Sequence, residues 1–126
     1  MSFTYEIRAN SAKNRLYIRM TGAMTDDEAR EVASAIIGEI KKLRPGFSII
    51  NDISALKPAS EKASGYLRGA QEASVKRGSG RVIRVVGSQA ITHLQWNRTL
   101  KDTQGTAAET AATVEEAERM LDGDLK

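Results

Sequence analysis

The chain contains no cysteine, only two prolines, one histidine and one tryptophan. Without cysteine there is no disulfide, no thiolate nucleophile and no zinc–thiolate site, and a reducing cytoplasm is the expected setting. A single histidine, His93, excludes a histidine-rich metal site. No Gly-x-Ser-x-Gly nucleophile motif accompanies it. Aromatic residues amount to 5%, too few to supply base-stacking platforms. No apolar run approaches the ~20 residues of a membrane helix, and the first ten residues lack the basic start and apolar core of a signal peptide. What remains is a chain of 126 residues, 40% hydrophobic and 28% charged, with the size and composition of one globular domain spanning residues 1–126. Lysine and arginine exceed aspartate and glutamate only by 19 to 16. The basic residues are dispersed, the densest group being Lys76, Arg77, Arg81 and Arg84, so no nucleic-acid partner is expected.

The hydrophobic pattern alternates between periods of two and 3.6 residues. Phe3, Tyr5 and Ile7 share one side of a first strand, and Leu16, Ile18 and Met20 the inner side of a second, with Arg15, Tyr17, Arg19 and Thr21 outward. The polar stretch Asn10-Ser11-Ala12-Lys13-Asn14 between them reads as a hairpin loop, which pairs the strands antiparallel. Thr25-Asp26-Asp27-Glu28 is a capping box opening a helix with an apolar stripe at Ala29, Val32, Ala33, Ile36, Ile37, Ile40 and Leu43. Phe47-Ser48-Ile49-Ile50-Asn51-Asp52-Ile53 is apolar through its middle, as a central strand covered on both faces would be. Ser60 caps a helix over residues 61–76, whose Gly65 and Gly69 suit close packing on the sheet or a partner. Arg81-Val82-Ile83-Arg84-Val85-Val86 is a further strand. A helix over 89–101, a weak strand over 106–111 and a short helix opened by Thr113-Val114-Glu115-Glu116 complete the chain. The order β-β-α-β-α-β-α-(β)-α implies an α/β fold: an antiparallel hairpin followed by parallel crossovers, with helices packed on the sheet.

That order and its junctions resemble the STAS domain, the sulfate-transporter and anti-sigma-factor-antagonist family. The carriers are the strand pair ending at Met20-Thr21-Gly22, the long capped helix, Phe47-Ser48-Ile49-Ile50-Asn51-Asp52-Ile53-Ser54 and the closing Thr113-Val114-Glu115-Glu116-Ala117. The resemblance implies a small non-enzymatic module without a cofactor. It binds a protein regulator, kinase-like or anti-sigma-like, and is switched by phosphorylation of a serine at the start of the helix after the third strand. Where the family has Asp-Ser-Ser-Gly, this chain has Ser60-Glu61-Lys62-Ala63-Ser64-Gly65. The phosphoacceptor candidates are therefore Ser60 and Ser64, and the departure points to a divergent branch similar to STAS/Sec14-like bacterial proteins. That branch implies an alternative, a module binding a small apolar ligand or lipid.

Five residues form the candidate partner or ligand site. Asp52 and Ser54 lie two apart near the carboxyl end of the third strand, where open α/β sheets bind ligands, although the same residue types also shape turns. Ser60 and Ser64 lie at a helix start, where free amides and the positive dipole end favour a phosphate, and where serine is equally a plain N-cap. Trp96 is an interface or pocket residue if its helix face is exposed, and a core-edge residue if it is not. His93 has no evident acid or nucleophile partner, so it is not expected to be catalytic. Homodimerisation through an edge strand or the glycine-bearing helix is compatible with the pattern.

Overall fold

The computed structural model describes residues 2–87 and 109–123. In chain order these form β1 (Thr4–Asn10), β2 (Arg15–Gly22), α1 (Asp26–Ile40), β3 (Ser48–Leu56), α2 (Glu61–Arg77), β4 (Val82–Val85), β5 (Glu109–Ala111) and α3 (Val114–Asp122). The helix expected over 89–101, with His93 and Trp96, lies outside the described residues.

The chain is α/β. The strands make one five-stranded mixed sheet in the order β1-β2-β3-β4-β5. β1 and β2 are antiparallel, with Asn10 opposite Arg15 across the turn, and β2, β3, β4 and β5 run parallel. Gly22 ends β2 with φ +90°, and a Cβ there would stand 2.7 Å from the Ser2 carbonyl oxygen, so only glycine fits. Thr25 caps α1 by accepting from the Glu28 amide at 3.1 Å, while Glu28 accepts from the Thr25 amide at 2.8 Å. Ser60 caps α2, and Gly78, in the left-handed conformation at φ 100°, ends it.

α1 and α2 both cover one face of the sheet. Val32, Ala33, Ile36 and Ile40 of α1 and Leu67 and Ala70 of α2 pack there against Leu16, Ile18, Met20, Ile49, Ile53, Leu56 and Val82. Arg77, at the end of α2, donates to the carbonyls of Ile40, Lys41 and Leu43, filling acceptors that the end of α1 leaves open. Ile37 departs from the expected stripe. It is 37% exposed, because its position on the helix wheel falls beyond the arc that the sheet and α2 cover. Gly65 and Gly69 do not serve close packing on the sheet: among the described residues nothing lies within 4 Å of a Cβ at either.

The opposite face is covered by α3. Ala117, Val114, Met120 and Leu121 pack on Ile50, Ile83, Val85, Ala111 and the Tyr17 ring. This layer overturns one expectation. Arg15, assigned outward by strand alternation, is only 6% exposed. Its guanidinium pairs with Glu118 and, at 3.0 Å, with Asp122 of α3. The Tyr17 hydroxyl donates to the same Glu118 carboxylate at 2.8 Å. Burial opposes the Arg15 charge, but the hydrogen bonds to Asp122 and Glu118 outweigh it and hold the pKa above the ordinary arginine value. Three of the four residues of the densest basic group are taken up inside the fold. Arg84 is 1% exposed, Arg77 is spent on α1, and Arg81 forms a forked pair with Glu109.

Two predictions follow from this packing. Replacing Arg15 by alanine leaves two partly exposed carboxylates without their shared cation and is expected to cost about 2 kcal/mol in urea unfolding, the range of hydrogen bonds to charged groups. Lysine at position 15 restores little, because a single ammonium cannot fork to both acids. Acid lability is expected from Glu39 and Glu109, whose pKa values are held below the ordinary glutamate range, chiefly by hydrogen bonds from Lys42 and Arg81 respectively. A carboxylate with a depressed folded pKa contributes stability above its unfolded pKa of about 4.3, and that contribution is lost as the pH falls through the folded value. Glu39→Gln with Glu109→Gln should flatten the fall of the melting midpoint in a titration below that pH.

Candidate functional site

Asp52 and Ser54 leave β3 on the face that carries α3. The parallel register sets Asp52 beside Arg19 of β2 and Val85 of β4, the last residue of its strand. The Asp52 carboxylate is almost fully engaged. Its Oδ1 accepts from the Ser54 hydroxyl at 2.6 Å and the Ser54 amide at 3.1 Å, and its Oδ2 from Arg19 Nε at 3.2 Å. The first two contacts close a local turn, as aspartate and serine commonly do at strand ends. Gly87, at φ +53°, passes so close that a Cβ there would lie 3.2 Å from the Ser54 Cβ. Asp52 and Ser54 are thus brought together as expected. Arg19, which the sequence marks only as an outward strand residue, completes the cluster.

Asp52 still faces a groove. A depression of about 50 Å³ lies between the hairpin, β3 and the start of α3, lined by Arg8, Tyr17, Arg19, Ile50, Asp52 and Val114 among others. The Arg8 guanidinium stands over the Tyr17 ring at 4.1 Å from its centroid. Burial and the hydrogen bond to Glu118 push the Tyr17 phenol above its ordinary pKa. On the other face a cavity of about 30 Å³ lies between the helix pair and the sheet, bounded by Met20, Ile36, Ile49, Asn51, Gln71 and Ser74 among others. Its size suits a single water rather than a ligand, since small-molecule sites run to about 300–1,000 Å³. A broad, shallow hollow of about 450 Å³ on α1 is lined by Asp27, Glu28, Arg30, Glu31 and Ser34.

Ser60 and Ser64 differ sharply. Ser60 is exposed; its Oγ accepts from the Ala63 amide at 3.0 Å and donates to Asp26 Oδ1 of α1 at 2.6 Å. That contact, between residues 34 apart, joins the first turns of the two helices. Asp26 carries no sequence signal for it beyond being the first residue after the Thr25 cap. Ser64 is 5% exposed, one turn further along α2, and its buried hydroxyl has no hydrogen-bond partner among the described residues. Of the two, only Ser60 is within reach of an enzyme acting on the folded chain. The candidate residues therefore make two separate places: Asp52 and Ser54 on the α3 face, and Ser60 at the tip of the helix pair on the other. Trp96 lies outside the described residues, as does the pocket expected beside its helix. Among the described residues no three potential metal-ligating side chains cluster, and no helix is long and apolar enough to cross a membrane.

Asp52→Ala removes the acceptor of three hydrogen bonds and is expected to destabilise the protein by about 1–3 kcal/mol. Ser54→Ala alone should cost less, and the double variant less than the sum of the two, a coupling readable from a urea double-mutant cycle. A search of protein-family models found none that matches this sequence, and a search of curated proteins found no relative.

Proposed function

We propose that this chain is a non-enzymatic protein-interaction module of STAS type, regulated at the joined tips of α1 and α2 by phosphorylation of Ser60. The observation that carries this reading is the exposed Ser60 hydroxyl, held between the α2 amides and the Asp26 carboxylate. As a neutral donor it ties the two helix starts together. A phosphoryl group adds about −1.5 to −2 charges and takes away the proton that Asp26 accepts. The α2 amides and dipole attract that group, whereas Asp26, Asp27 and Glu28 in the first turn of α1 repel it. The result is a two-state surface, acidic and joined in one state, parted and more acidic in the other. A regulator, kinase-like or anti-sigma-like, that contacts both helix tips would distinguish them. The alternative reading, an apolar-ligand module, puts its pocket beside Trp96, outside the described residues; among the described residues the groove on the α3 face and the cavity behind it hold about 50 and 30 Å³.

The mechanism is testable without knowing the partner. Aspartate at position 60 keeps a capping oxygen but faces Asp26, so Ser60→Asp is expected to lose about 1 kcal/mol to like-charge repulsion. It should also speed amide exchange in the first turn of α1. Adding Asp26→Asn should restore both. Phosphopeptide mass spectrometry of the protein recovered from its own cells should find phosphate on Ser60 and not on Ser64. A Ser60→Asp protein as stable and as protected as the parent, with Ser60 unmodified in cells, overturns the proposal.

A further inference from the structure

β1 is the outer strand of the sheet, and among the described residues no strand lies beyond it. The Ala9 amide donates to the Glu39 carboxylate at 3.0 Å and is therefore turned away from β2. Residues two apart in a strand point their amides and carbonyls the same way, so Tyr5 and Ile7 present theirs at the open edge while Glu6 and Arg8 bond inward to β2. Open edges of this kind accept a further strand unless they are blocked. Among the described residues one block is seen, at Ala9, where Glu39 covers the amide.

The side chains of β1 are self-complementary about Ile7. When a second β1 is laid antiparallel on the open edge with Ile7 opposite Ile7, Glu6 of each chain falls opposite Arg8 of the other. These are non-hydrogen-bonded positions, where Cβ atoms approach to about 4.5–5.5 Å and opposite charges attract. Both residues are exposed and lie on the α3 face. On the other face Tyr5, 37% exposed and stacked on Phe3 at 5.9 Å, falls opposite Ala9 of the second copy. The small Ala9 leaves room for the ring. The ladder uses the paired Ile7 groups, and at each end the Tyr5 carbonyl of the second copy takes the Ala9 amide in place of Glu39, which keeps its ion pair with Lys42.

We propose that two copies of this chain associate isologously through β1, joining their sheets into one continuous sheet in which two Glu6–Arg8 pairs set the register. This goes beyond the Ser60 reading and uses a different surface. Sedimentation equilibrium of the full chain, from about 10 μM to about 1 mM at low salt, spans the range of weak symmetric pairs. The parent protein is expected to approach twice the monomer mass across that range. Glu6→Arg places like charges opposite Arg8, and Arg8→Glu does the same opposite Glu6. Each should raise the dimer dissociation constant at least about tenfold. The doubly swapped Glu6→Arg/Arg8→Glu chain should recover the parent constant to within about threefold, and circular dichroism should show all four monomers folded. A parent protein that stays monomeric throughout, or a dimer indifferent to the single reversals, overturns the proposal.

Discussion

Every other feature of this molecule depends on β3 being held between parallel β2 and β4 and buried on both sides. Ile49, Ile53 and Leu56 point under the helix pair, and Ile50 points under α3. A strand covered on both faces must find all its backbone partners in its neighbours, because water reaches neither side. That requirement fixes the register, and the register places Asp52 beside Arg19 and Ser54 beside Gly87. It also sends both connections out of β2 and β3 to the same end of the sheet, where α1 and α2 begin side by side and Ser60 meets Asp26.

The two layers on the sheet are held differently. The helix-pair side is a broad apolar core, tied at its far end by Arg77 reaching the last carbonyls of α1. The α3 side is a small apolar cluster flanked by charge, with Arg15 and Tyr17 converging on Glu118. Apolar burial is nearly non-directional, whereas the Arg15 fork is directional and fixes where along β2 the short helix sits. A nine-residue helix is marginal alone, so the ion pairs supply orientation as much as stability.

The surface splits along the same lines. Asp52 and Ser54 satisfy each other and Arg19, which makes them first of all a structural junction facing a small groove. Ser60 is a cap whose hydroxyl also bridges two helices from an exposed position, so a change of charge there alters the relation between elements and not only a local turn. The open edge of β1 lies apart from both, and carries its own charge pattern.

Local signals in the chain were sufficient for the hairpin, the Thr25 capping box, the Ser60 cap and the alternation of strands with helices. Each depends on contacts within a few residues, where spacing alone determines geometry. The pairing of Asp52 with Ser54 was legible for the same reason, since the two are neighbours on one side of a strand. Partners distant in the chain were decided only by the fold. Alternation assigned Arg15 to a face but could not say that α3 would cover it, and the stripe that includes Ile37 could not say how wide an arc the sheet and α2 would take. Nothing near Ser60 in sequence names Asp26, 34 residues away, and nothing near Ser64 says that the next turn of the helix is already inside. Burial and long-range hydrogen bonding belong to packed layers, and a layer exists only once separate segments have met.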